Sequence, residues 1–245
     1  MADRMDAQFA YATFQPGIQF GRRAYREWDP KDAHIGLMYQ FRTDHQTDRQ
    51  VPIVPDACFD LLFCCDSRHP SIAIWTSPTA LSVKNQPDFV PDAEYFCVRF
   101  LPEQYLLPID ESMKSLNDLQ APLQDVIRLK DEACLLESLA TARRFEDRIR
   151  IFQDYMRVYY QSADSRRDAK ALVNHLIREI YRTKGMAEIR GLMEDTGYSE
   201  RYIRKKFEEQ VGFSPKLFAQ IVRFQGAIHD IALGKEELTQ VTHNH

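Results

Sequence analysis

Four cations stand close together at Arg201, Arg204, Lys205 and Lys206, inside the stretch 186-MAEIRGLMEDTGYSERYIRKKFEEQVGFSPKLF-218. On a helix, Ile203, Phe207 and Val211 recur every four residues and form one apolar stripe. Arg201, Lys205 and Glu208 then fall roughly opposite that stripe, with Arg204 about a quarter-turn aside. A guanidinium held on a rigid outer face can fork two donors onto O6 and N7 of a guanine, which is the chemistry of base reading in the major groove. Lys206 falls toward the packing flank, where a phosphate is the easier target.

The turns around these cations set the geometry. Thr196-Gly197 supplies the left-handed residue that ends one helix, and Ser199 is suited to cap the next, whose end falls near Gly212. Ser214-Pro215 repeats the device, with serine as cap and proline in the first helical position. Ser199 and Ser214, with the helix N-termini they cap, and Lys216 are candidates for phosphate oxygens. Ile189, Leu192, Met193, Tyr198, Ile203 and Phe207 are assigned to the small core that fixes the helices. Helix, short glycine turn, basic helix is the helix-turn-helix plan. On spacing alone, a helical hairpin with a solvated mixed-charge face fits as well.

The residues add a resemblance. GYSERYIRKKFEEQVGFSPKLFAQIVRFQGAI resembles the first helix-turn-helix and long connecting helix of the AraC family of bacterial transcription regulators. Gly-Tyr-Ser, a basic helix with an Ile-x-x-x-Phe stripe, Val-Gly-Phe-Ser-Pro and then Arg-Phe-Gln carry it. The resemblance implies double-stranded DNA as partner, with the base-reading positions on Arg201, Arg204 and Lys205. It also implies a second helix-turn-helix after a long helix, whose stripe would be Leu217, Ile221, Phe224 and Ile228. Leu238-Thr239-Gln240-Val241 resembles the start of that second unit, and the sequence stops at His245. The expectation is therefore a shortened chain with an incomplete second motif, the other reading being a protein that carries one reader.

Length and composition agree with one large or two ordinary domains: 245 residues, 44% hydrophobic and 28% charged. No long apolar run and no leader pattern is present, so no membrane partner and a cytoplasmic protein are expected. Cys58, Cys64, Cys65, Cys97 and Cys134 are odd in number and lack a CxxC pair, which argues against a disulfide framework and for buried free thiols. The net charge is -4, yet residues 165–245 hold 14 Lys+Arg against 11 Asp+Glu, net +3, leaving -7 for the rest. Such a split suits a DNA-binding C-terminal part on an acidic partner domain.

From about Ile18 to Phe100 the signals are those of strands. Ile35-x-Leu37-x-Tyr39-x-Phe41 alternates, and Cys58–Cys65, Ile72–Trp75 and Tyr95–Phe100 are short apolar runs between prolines. VPIVPDACFDLLF and FCVRFLPEQYLLPI resemble the cupin-like sensor of one branch of the AraC family. The expected fold class is α+β: a β-barrel over residues 1–108 for a small-molecule effector, a helical segment over 109–160, a linker at 161–167 and an all-α helix-turn-helix domain over 168–245. Tyr39, Trp75 and Arg99 are candidates to touch the effector by stacking or anion pairing, though strand aromatics are often core. Metal-binding cupins offer an enzyme alternative, but they need an HxH pair with a following Glu and a distant His. His34, His45 and His69 stand alone, and His243 with His245 lies at the extreme end, so no catalytic residue, metal or cofactor is expected.

Within 109–160, Val126, Leu129, Ala133, Leu136 and Ala140 recur at helical spacing, then Phe145, Ile149, Phe152, Met156 and Tyr159 or Tyr160 do the same. In the family resembled, helices here mediate dimerisation, which implies a homodimer; packing within the chain is the alternative. Leu172, Val173, Leu176, Ile177 and Ile180 predict an amphipathic helix ending near Gly185. The function expected is a transcription regulator whose sensor biases DNA binding or contact with RNA polymerase. Two others remain open: a regulator controlled by a protein partner through its N-terminal domain, with impaired DNA binding, and a cupin-type metalloenzyme.

Overall fold

A computed structural model of the chain describes residues 13–20, 22–44, 53–66, 68, 70–79, 89–109 and 111–232. His45, His69, the pair His243 and His245, and the second-reader start at 238–241 lie outside the described residues. The architecture is α+β, with six antiparallel strands in one sheet: β1 (Arg23–Trp28), β2 (Ile35–Arg42), β3 (Phe59–Cys64), β4 (Ser71–Thr76), β5 (Glu94–Phe100) and β6 (Gln120–Pro122), in the spatial order β1-β2-β5-β3-β4-β6. A barrel would pair β1 with β6, but among the described residues the sheet is open at both. β6 has only three residues, and its Pro122 lacks the N–H a further ladder needs.

Both faces of the sheet are apolar. Phe59, Leu61, Phe63, Ile72, Ile74, Phe96, Val98 and Phe100 share one core with α3 (Glu132–Thr141) and α4 (Phe145–Gln161). Phe152 of α4 meets the rings of Phe63, Phe96 and Phe100 at 5.8–6.5 Å. Tyr39, Phe41, Leu62, Cys64, Trp75, Tyr95 and Cys97 form the other core, with Ile18 of the short α1 (Pro16–Gln19) against them. The Ile35-to-Phe41 alternation breaks once: the register shifts between Ile35 and Leu37, so Ile35 joins the first core and Leu37, Tyr39 and Phe41 the second. Gly36 lies at the shift, where a Cβ would stand 2.7 Å from Leu101 Cδ2.

Several helical expectations shift in register. Residues 126–130 are irregular rather than helical, and α3 buries Leu135 and Leu139 while Ala133 is exposed. In α4 the predicted stripe holds, with Tyr159 inside and Tyr160 exposed, and Arg148 is buried beside it. Arg148 donates to the carbonyls of Leu139 and Ala142 and, at 2.6 Å each, to Gln40 and Glu94, so it pins α4 to β2 and β5. The apolar face of α4 is thus occupied within the chain. Of the cysteines, Cys58, Cys64, Cys65 and Cys97 are buried and Cys134 is exposed.

α5 (Asp164–Arg182), α6 (Ile189–Glu194), α7 (Glu200–Val211) and α8 (Pro215–Ala232) build a third core from Val173, Leu176, Ile177, Ile180, Ile203, Phe207, Val211, Phe218 and Ile221. The expected linker at 161–167 is mostly helical: Gln161 ends α4, Asp164 opens α5, and the Ala163 between them is buried against the sheet core. In α8 the buried stripe is Phe218, Ile221, Val222 and Gln225, while Leu217, Phe224 and Ile228 are half-buried. No helix among the described residues is long and apolar enough to cross a membrane.

α5 grips the segment after β5 through donors four residues apart. Arg166 donates to the carbonyls of Tyr105 and Leu106, Lys170 to Gln104 at 2.8 Å and Asn174 to Glu103 at 3.1 Å. The Glu103 carboxylate accepts the Tyr181 hydroxyl at 3.1 Å, and burial pushes this acid up to about 7 against that bond and nearby Arg178. A raised carboxyl pKa means the folded chain binds the extra proton, so this group's stability contribution falls as pH rises from about 4.5 through about 7. Glu103→Gln is therefore expected to stabilise the chain at pH 8 by on the order of 1–3 kcal/mol and to change little at pH 4.5. Urea unfolding of both chains at the two pH values checks this, the difference between them isolating the one group.

Candidate nucleic-acid interface

The basic helix α7 is fixed at both ends by local chemistry. Ser199 Oγ accepts from the Tyr202 amide at 3.3 Å, as an N-cap should, and Gly212 ends the helix at φ +91°. Gly197 before it has φ +74°, and Ser214 Oγ caps α8 by accepting from Leu217 N at 3.3 Å. Ile203, Phe207 and Val211 are buried, so the helix has one permitted rotation and its cations must face out.

Arg201, Arg204 and Lys205 are brought together. All three are exposed and line one groove of about 630 Å³, with Glu200, Glu208 and Glu209 beside them and Lys114 contributed by α2 (Met113–Leu116). The cations are tethered, not bare: Arg204 reaches Glu200 at 2.6 Å, Lys205 approaches Glu209 at 3.8 Å and Lys206 holds Glu209 at 3.0 Å. Those two lysines hold the Glu209 carboxyl below its usual range, the bond from Lys206 first. Exposed pairs of this spacing are worth about 0.3–0.5 kcal/mol, less than a bidentate base contact, so exchanging one for the other is favourable. Lys206 is half-buried off the groove, and Ser199 and Lys216 are exposed.

Tyr198 is the correction. Assigned to the small core from sequence, it is 55% exposed and stacks on Tyr202 at 5.3 Å beside the start of α7. The left-handed turn at Gly197 throws it outward, and Met193 with Ile203 fills the core without it. Lys114 was not foreseen either, because it lies 94 residues from Glu208 and only the fold brings them together. The Glu200–Arg204 and Lys205–Glu209 pairs, by contrast, are readable from their spacing.

Tyr39, Trp75 and Arg99 share one face of the sheet. The register seats Asp60 between Trp75 and Arg99. Arg99, buried, forks onto Asp60 at 2.9 and 2.8 Å, donates to Thr13 Oγ1 at 3.0 Å and stands 3.6 Å from Asp56. Tyr39 gives its hydroxyl to Asp60 at 2.7 Å. The anion that Arg99 pairs is thus the chain's own. Burial would lower the arginine's pKa, yet Asp60 and Asp56 keep it well above its ordinary value, while burial raises both Asp56 and Tyr39. His34 is buried between Tyr105 and Tyr160, burial lowers its pKa, and no metal-holding group of three or more His, Cys, Asp or Glu occurs among the described residues.

Comparison with protein-family models, with curated proteins and with solved structures finds no match. Two variants separate the buried pair from the exposed one. Asp60→Ala leaves Arg99 short of its counter-charge and is expected to cost about 3–5 kcal/mol in urea unfolding, whereas Glu200→Ala, beside exposed Arg204, should cost less than about 1 kcal/mol.

Proposed function

We propose that this chain is a sequence-reading DNA-binding transcription regulator of AraC type. In this reading α6 and α7 form its helix-turn-helix, and the sheet with its covering helices is a cupin-like sensor of a small molecule. One observation carries the reading: Arg201, Arg204 and Lys205 stand exposed in one groove of a helix whose opposite stripe is buried and whose two ends are capped. A helix so held presents its side chains to a groove without further ordering, and the tethering carboxylates give way at small cost. An effector works by preferring one arrangement of sensor and basic helix, which changes DNA affinity or polymerase contact.

In the sensor, Arg99 is paired with the chain's own Asp60 and Asp56, and Tyr39 and Trp75 are buried in the core, which favours a structural role for all three. A protein partner at α7 is the second reading, favoured by the exposed Tyr198–Tyr202 stack and the interleaved Glu200, Glu208 and Glu209.

The test is selection from a random-sequence duplex pool at low salt, followed by gel shift of the selected sites. Arg201→Ala and Arg204→Ala are each expected to relax one base position at a cost of about 1–3 kcal/mol, while Lys216→Ala weakens all sequences alike and reduces the salt slope. Absence of any enriched sequence sinks the DNA reading, and unchanged preference in both arginine variants sinks the residue assignment.

A further inference from the structure

The short helix α2 belongs to the sheet part of the chain yet sits on the basic helix. Lys114 Nζ lies 2.5 Å from Glu208, and Asn117 Nδ2 donates to the Gly212 carbonyl, at the C-terminal end of α7, at 2.6 Å. The Asn117 amide also fills the space a side chain at Gly212 would need: a Cβ there would stand 2.5 Å from its Oδ1. Glu208 continues the outward stripe of Arg201 and Lys205, so α2 closes one end of the face proposed to read DNA.

α2 is also anchored in the sensor. Met113 and Leu116 are buried in the sheet core, and the Thr76 hydroxyl at the end of β4 donates to the Leu116 carbonyl and accepts from Leu119 N. Trp75, next to Thr76, points to the opposite core, so packing there is one residue from the anchor.

We infer that α2 is an autoinhibitory latch: bound to α7 it holds the chain in a state that reads DNA poorly, and its release is what the sensor controls. The inference rests on the DNA-binding reading of α7 and supplies its regulation. The steric reason is that a major groove about 12 Å wide barely exceeds a helix of about 10–12 Å with its side chains, so the phosphate walls need both flanks of α7. α2, bonded to Glu208 and to the C-terminal end of α7, narrows the room for a phosphate wall at that end. The polar part of the contact is suited to release, because the partly exposed Lys114–Glu208 pair and the neutral Asn117–Gly212 hydrogen bond are each individually weak.

The test uses the full chain with Lys114→Ala and Asn117→Ala combined, and separately Lys114→Glu, which sets two acids against each other. Hydrogen exchange without DNA is expected to quicken over residues 205–213, and retardation of a random-sequence duplex pool at low salt to require about tenfold less protein. Unchanged exchange means the contact does not hold in solution and overturns the latch. Faster exchange with unaltered DNA affinity overturns its inhibitory role, and weaker binding overturns it in favour of Lys114 as a DNA contact. Faster exchange with no DNA binding by any chain, including the parent, overturns the DNA reading itself and leaves only a structural joint.

Discussion

A sheet with apolar side chains on both faces must be covered twice, and most of this fold follows from that requirement. α3 and α4 are spent on one face, where Phe152 meets three phenylalanine rings. The other face takes α1 and the residues around Ile53 and Ala93. Each large buried side chain is worth about 1.5–3 kcal/mol, so neither cover can be given up cheaply. Because the sheet leaves no dry face to solvent, its two buried arginines must find their counter-charges inside. Arg148 does so on one face with Glu94, helped by the Gln40 amide oxygen, and Arg99 on the other with Asp60 and Asp56. Such pairs gain little over well-packed apolar groups but are costly to break singly.

How legible this was in the sequence depended on whether the physics was local. Capping at Ser199 and Ser214, the left-handed glycines and the Ile203–Phe207–Val211 stripe involve neighbours within a turn or two, and they stand as read. The short strands were visible from period and proline punctuation. Arg148 was missed because charge argues for solvent until a partner on another strand is known. The α3 register was missed because Val126 and Leu129 pack from an irregular segment before the helix, where helical spacing is accidental. Likewise the polar run at 161–167 lacks apolar period, yet Arg166 finds two main-chain carbonyls and the segment stays helical. The candidate interface was legible in its cations and not in its boundary, since Lys114 and Asn117 reach it only through tertiary contact.

On the DNA reading proposed above, the electrostatics of α7 fit selective rather than indiscriminate attraction. Glu200, Glu208 and Glu209 offset much of its charge at a distance, where screening leaves little field beyond about 8–10 Å. At contact the balance changes, because a guanidinium can leave a mobile carboxylate for a fixed pair of acceptors on a base. Tethers of this kind discourage loose phosphate binding more than they discourage a well-aligned contact.

The ladder on α5 has a consequence for how the two halves tolerate change. Arg166, Lys170 and Asn174 reach residues 103–106 through main-chain carbonyls, so these contacts, unlike the Tyr181–Glu103 bond, are blind to the side chains there. What it measures is spacing along the helix. A single residue inserted between Arg166 and Lys170 would rotate the two parts of α5 by about 100° and set the donors and the Val173–Ile180 stripe against each other. Glu103 aside, the joint would accept many sequences on the sheet side and almost no change of length on the helix side.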